Sequence, residues 1–250
     1  MQVAATRKIV VLGTGGTIAG TSGVAGANVG YTAAQIGVQQ LLALELERGA
    51  DGWITGGIRG VPTMREGKAL IPNGGIDPFS LSAPYRSKPV VTAVKGICYT
   101  AGIELMLATE IVVAAEGTRF SQLEVGRGVM AVGGATVRMT ERAGWGNAMR
   151  ILLTSCEFTP EDALRYNFIQ EIVPTGRELD RALELAADIC RQAPLAVQAT
   201  MNNVRRAFLE GPEAAIAEFV PVMQQLALTE DAAEGVKSFQ EKRPPVYRGR

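Results

Sequence analysis

The apolar residues of this chain follow two regimes. Up to about residue 176 they come in short continuous runs broken by Gly-rich or polar turns, and beyond it they recur at helical spacing. Residues 8–12 (KIVVL) predict a buried strand entering a Gly-rich loop over 13–20. Ile36, Leu41, Leu42 and Leu46 predict a helix over 33–46, and the Gly- and Pro-rich stretch 49–83 reads mostly as loops. Residues 89–94 (PVVTAV) and 111–115 (IVVAA) predict strands, with a helix over 103–108 between them and a short extended piece around Phe120. Gly133-Gly134 precedes a helix over 135–143, and 148–153 is helical again. Thr159 is placed to cap a helix beginning at Pro160, with Asp162 at its third position. A strand over 169–173 is closed by Pro174.

From Arg177 the pattern is helical almost throughout. Leu179, Ala182, Leu183, Leu185, Ala186 and Ile189 mark one face; Val204, Ala207 and Phe208 a second; Phe219, Val222, Met223 and Leu226 a third. The expected organisation is an α/β core over 44–176, preceded by a strand–loop–helix segment over 1–43 and followed by a helical region over 177–250. There is no internal sequence repeat and no low-complexity stretch.

Composition narrows the functions. Apolar residues make up 47% of the 250, enough for a sizeable core. Basic and acidic residues balance at 25 each, so charge gives no reason to expect nucleic acid or an anionic membrane as partner. A basic group at the end, Lys242, Arg243, Arg248 and Arg250, reads as a solvated tail ahead of a phosphate site. The chain has no histidine, which removes imidazole bases and His-based triads. Proton transfer then falls to Glu, Asp, Lys, Tyr or Cys. Cys98, Cys156 and Cys190 have neither metal-ligand nor disulfide spacing, as expected of free thiols in a reducing cytoplasm. The first residues lack a signal-peptide pattern, and no apolar run is long enough for a bilayer, so a cytoplasmic protein is expected.

The candidate chemistry sits in 91–124. The 89–94 strand leads to a small-residue turn, Thr100-Ala101-Gly102, and then a helix. N–H groups at a helix start are unpaired, and small residues let a ligand approach them, so this is a natural oxyanion site. Glu104 lies in the first helical turn among Ile103, Leu105, Met106 and Leu107. It either complements the helix dipole or serves as a carboxyl whose pKa is raised by apolar surroundings. Glu124 follows the returning strand, which brings the chain back toward Glu104. Two carboxylates in one partly dry pocket divide acid and base roles, although a charged surface explains most Glu pairs.

These residues resemble the crotonase (enoyl-CoA hydratase/isomerase) superfamily. The family pattern G-x-x-x-G-G-G-x-E-L is similar to Gly96–Leu105 (GICYTAGIEL), and D-I-x-x-A to Glu110–Ala114 (EIVVA). The block F-x-x-P-E-x-x-x-G then G-G-T is similar to Phe120–Gly128 (FSQLEVGRG), with Leu123 in place of Pro, then Gly133-Gly134-Ala135. The resemblance runs over about 63–250. It implies an α/β crotonase-like spiral of ββα units with a helical C-terminal region. It implies Glu104 and Glu124 as the acid/base pair, as in hydratases; double-bond isomerases typically keep only the second. It implies oxyanion N–H donors at Ala101 and, if Thr55-Gly56-Gly57 is the family's turn, at Gly56. Gly57, Gly102 and Gly133 fall at substrate-binding positions. The implied activity is syn hydration of a 2-enoyl-CoA, with CoA as part of the substrate, no metal or redox cofactor, and assembly as a homotrimer or a dimer of trimers.

Residues 8–42 instead resemble the N-terminus of bacterial L-asparaginases, with Thr17 at the nucleophile-like position of TGGTIAG and Tyr31 at the activating position. The downstream Thr-Asp pair and Lys of that site have no counterpart, which argues against an amidohydrolase. A dinucleotide loop is disfavoured by the wrong glycine register. The segment stands where a crotonase has its opening ββα portion, so a non-catalytic acyl-CoA-binding scaffold is the alternative to the lyase.

Overall fold

The computed structural model describes residues 10–15 and 76–250. The expected helix over 33–46 lies outside these residues. In chain order the strands are β1 (Val10–Gly15), β2 (Val90–Lys95), β3 (Ile97–Tyr99), β4 (Ile111–Ala115), β5 (Arg119–Ser121) and β6 (Glu171–Val173). β1-β2-β4-β6 form one parallel sheet, and β3 pairs with β5 in a second parallel layer. β2 and β4 are buried on both faces, which is why they read as continuous apolar runs rather than alternating ones. Thr92, the polar residue inside β2, donates from its hydroxyl to Thr109 Oγ1 (2.8 Å), and Thr109 donates to the Met106 carbonyl (2.7 Å).

The strands come in a repeated step. β2, β3 and helix α1 (Ala101–Leu107) form one ββα unit, and β4 and β5 retrace it one position along both layers. Helices α2 (Ala135–Ala143), α3 (Trp145–Thr154) and α4 (Pro160–Arg165) follow. Ile103, Met106, Phe120, Met139, Ile151 and Phe168 meet in a buried core. Phe120 stacks on Phe158 at 5.3 Å between ring centroids, and Phe158 meets Phe168 edge-on at 5.9 Å. The predicted cap of α4 is present, with Asp162 N donating to Thr159 Oγ1 (3.2 Å).

Several boundaries differ from the apolar pattern by one to three residues, and two of the shifts have a visible cause. β1 runs on to Gly15, through glycines that read as loop, because Gly13–Gly15 pair with Ala93–Lys95 and the parallel ladder satisfies their backbone. β6 starts at Glu171, later than expected. Before it, Gln170 uses its own N–H on the Val112 carbonyl (2.9 Å) and its side-chain oxygen on the Val112 N–H (2.8 Å).

The described residues form two compact units, 10–15 with 76–86 and 90–183, and 87–89 with 184–250. The division falls inside helix α5 (Glu178–Cys190). The second unit holds helices α6 (Pro194–Glu210), α7 (Pro212–Ala217), α8 (Phe219–Ala227) and α9 (Glu230–Gln240). Its apolar stripes are largely bare: Phe208, Phe219, Met223 and Phe239 are exposed, and neither α6 nor α8 contains a buried residue. The basic end of the chain is tied down rather than free. Arg243 bonds Glu234 (2.5 and 2.9 Å), Arg250 pairs with Glu230 (2.8 Å), and Asp231 accepts from the N–H groups of Arg248 and Gly249 (2.6 and 2.7 Å). Among the described residues, no helix is long and apolar enough to cross a membrane.

Candidate active site

The turn before α1 is the first component. Thr100, its N-cap, has φ 51° and ψ −120°. A β-branched residue at positive φ is a steric outlier, costing on the order of 1–3 kcal/mol. Two hydrogen bonds hold it there: Thr100 N donates to the Ser121 carbonyl (3.0 Å), and the Thr100 carbonyl accepts from Glu104 N (3.1 Å). Ala101 follows as the first helical residue, so its N–H has no intrahelical acceptor. The strain predicts that Thr100→Gly raises stability by about 1 kcal/mol, after glycine's own entropy is subtracted. Denaturant unfolding checks this, and a less stable variant would show that the turn is relaxed.

Glu104 is 4% exposed, in the first turn of α1. Its Oε1 accepts from two backbone N–H groups at the start of α2, Gly133 N (2.7 Å) and Ala135 N (3.1 Å). Gly134 between them is the N-cap of α2, at φ 103°. The dipole that Glu104 meets most directly is thus that of a second helix, as well as its own. Burial raises its pKa; the two N–H bonds and the nearby Arg138 guanidinium oppose this but do not cancel it. The apolar surroundings read from its neighbours are present.

Glu124 opens a single 3-10 turn, Glu124–Arg127, after β5. It is half-buried. Gln122 Nε2 donates to its Oε1 (3.2 Å), while its Oε2 is buried with no partner among the described residues. Burial raises its pKa, and the charge of Glu104 pushes it the same way. The two carboxyls, 20 positions apart in sequence, therefore lie within electrostatic reach of each other.

Gly133 is packed against both the acid and an aromatic ring. A Cβ there would lie 2.6 Å from Glu104 Oε2 and 2.9 Å from Phe79 Cδ1. Gly102 lies against Cys98 Sγ, which a Cβ would meet at 3.3 Å. Gly56, Gly57, Thr17 and Tyr31 lie outside the described residues. Two site neighbours escaped the sequence reading, Gln122 and Arg138. Arg138 and Arg142 share a helical face with the buried Ala135 and Met139, and arginine on an apolar face was the signal to follow.

The carboxyl pair has a consequence for stability. The folded protein holds the Glu104 proton more tightly than the unfolded chain, whose carboxyl titrates near 4.5. The contribution of this group is complete below that value and is lost as pH rises through the raised folded pKa. Glu104→Gln still accepts the Gly133 and Ala135 N–H bonds but has no charge to bury. Its melting temperature relative to wild type is expected to climb from acid to neutral pH. A constant difference across that range would contradict the raised pKa.

Comparison with known proteins agrees with this arrangement of strands and helices. A crystal structure of a probable enoyl-CoA hydratase/isomerase from Mycobacterium abscessus superposes with TM-score 0.75 at 45% identity, covering 77% of this chain and 74% of that one. An enoyl-CoA hydratase from Mycobacterium tuberculosis H37Rv superposes with TM-score 0.66 at 31% identity, covering 76% and 75%. The fold is the α/β crotonase fold with its helical C-terminal region. The sequence profile described as Enoyl-CoA hydratase/isomerase matches residues 79–250, and the chain belongs to this family. The 2,3-dehydroadipyl-CoA hydratase of Escherichia coli K12 is 34% identical over 164 residues, which are 66% of this chain and 64% of that protein. The carnitinyl-CoA dehydratase of Salmonella agona is 31% identical over 171 residues, 65% of this chain and 64% of that protein. The chain thus spans less than two-thirds of the length of these relatives.

Proposed function

We propose that this chain catalyses syn addition of water to a 2-enoyl-CoA thioester. The observation that carries the reading is the placement of two carboxyls, Glu104 buried in the first turn of α1 and Glu124 half-buried within its electrostatic reach, in a unit whose α1 opens at Ala101 with an N–H that has no intrahelical acceptor. The Ala101 N–H, with Gly56 N–H as the second donor, receives the thioester oxygen as enolate character develops, each contributing on the order of 3 kcal/mol to the lowered barrier. Glu124 and Glu104 hold a water. Its O–H bond breaks, the hydroxyl joins the β-carbon, and a proton is delivered to the α-carbon. Gly57, Gly102 and Gly133 are the substrate-binding positions this reading assigns, and at Gly133 the missing side chain is what lets the Glu104 carboxyl pack against the backbone. The developing charge is met by N–H dipoles, so no metal or redox group enters the scheme.

Assembly as a homotrimer or a dimer of trimers accompanies this reading. The exposed apolar side chains of α6, α8 and α9, Phe208, Phe219, Met223 and Phe239 among them, support it. Loss of the conjugated enoyl-thioester absorbance on adding wild-type protein tests the activity. Tight acyl-CoA binding without turnover would establish the scaffold alternative instead. Ammonia release from asparagine, abolished by Thr17→Ala, would establish the amidohydrolase.

A further inference from the structure

Arg138 is a half-buried cation with an unusual set of partners. Its Nη1 donates to the Gly133 carbonyl (3.1 Å), and its Nη2 to the carbonyls of Phe79 (2.5 Å) and Ser80 (3.3 Å). Residues 77–82 form a turn organised by Asp77, whose carboxylate accepts from the N–H groups of Phe79 (2.9 Å), Leu81 (2.9 Å) and Ser82 (3.2 Å). The guanidinium therefore fastens this turn to the residue whose own N–H holds Glu104. Phe79, Gly133 and Glu104 meet at that point, closely enough that no Cβ fits at Gly133.

We propose that Arg138 is a positioning residue for Glu104. By fixing Gly133 from its carbonyl side and pressing Phe79 against it, Arg138 sets where the Gly133 and Ala135 N–H groups aim the carboxylate. A packing role alone would be met by an apolar side chain, without drawing a charge partly out of water and replacing that hydration with three backbone carbonyls. The inference rests on the hydratase reading for its kinetic consequence and on geometry alone for its effect on Glu104.

The charged groups around Arg138 are Asp77 and Arg86 from the preceding loop, Glu104 from α1, and Glu141 and Arg142 from α2 itself. Its charge favours the ionised form of Glu104, against burial. Two substitutions separate charge from geometry. Arg138→Met removes both, and Arg138→Lys keeps the charge without the planar fork.

The test pairs hydration kinetics with a ¹³C NMR titration of the Glu104 carboxyl, assigned by its loss in Glu104→Gln. For Arg138→Met the Glu104 midpoint is expected to move up, and kcat to fall about 100-fold with KM nearly unchanged, as for a displaced reacting group. Arg138→Lys is expected to keep the midpoint near wild type and recover part of kcat. A folded Arg138→Met with the wild-type midpoint overturns the proposal, whatever its melting temperature. If Arg138→Met does not fold, Arg138→Lys decides, and a wild-type kcat there overturns it. Should wild type hydrate no enoyl-CoA, the hydratase reading fails while the titration still judges Arg138.

Discussion

Glu104→Gln and Glu124→Gln are each expected to lower kcat for enoyl-CoA hydration by about 10²- to 10⁴-fold, with KM close to wild type. The amide is nearly isosteric, so binding surfaces survive and only the proton chemistry is removed. In Glu104→Gln the side-chain oxygen still accepts from Gly133 and Ala135, so the fold of the site is preserved. In Glu124→Gln the existing donor, Gln122 Nε2, still finds an acceptor. Loss of rate without loss of affinity is the signature of groups acting in the transition state. Burial raises the pKa of both carboxyls, and the charge of Glu104 adds to the rise at Glu124. Both are displaced upward, so the pH–rate profile should turn above the ordinary carboxyl range. Steady-state kinetics across pH check this, and a variant with wild-type kcat would remove that carboxyl from the mechanism.

Gly133→Ala is expected to be the most damaging change that leaves every ionisable group in place. The added methyl would sit 2.6 Å from Glu104 Oε2, 2.8 Å from its carboxyl carbon and 2.9 Å from Phe79 Cδ1. Neither neighbour gives way freely. Glu104 is held by the Gly133 and Ala135 N–H groups, and the backbone of Phe79 by Arg138. Forcing a methyl into such a contact costs about 1–3 kcal/mol. The carboxylate must also move by a distance at which rates fall about 100-fold. Thermal unfolding and kcat measured together check the prediction. Wild-type values for both would mean that the Glu104–Gly133 contact is loose.

Much of this was legible in the chain. The IVVAA run gave β4 residue for residue, and Gly133-Gly134 marked the start of α2, because a continuous apolar run and a glycine pair are local signals. Glu104 stood out for the same reason, an acid among Ile103, Leu105, Met106 and Leu107. What could not be read was non-local. Nothing near Glu104 says that its hydrogen-bond partners lie at Gly133 and Ala135, because that contact is made by the spiral and not by any periodicity. The ββ repeat itself leaves no sequence repeat, since its two copies share geometry and burial rather than residues. The strain at Thr100 is invisible without dihedral angles, as threonine is an unexpected occupant of positive φ. In the helical unit the stripes were readable, but Phe208, Met223 and Phe239 are exposed in the single chain.

The central claim is that Glu104 and Glu124 together add water across an enoyl-thioester. The most direct measurement is the fate of deuterium when 2-enoyl-CoA is incubated with the protein in D₂O. The account predicts a 3-hydroxyacyl-CoA from wild type carrying one deuteron at the α-carbon, on the same face as the new hydroxyl, and almost none from either glutamine variant. A shifted double bond with deuterium at another carbon, or unchanged substrate from wild type, would contradict it.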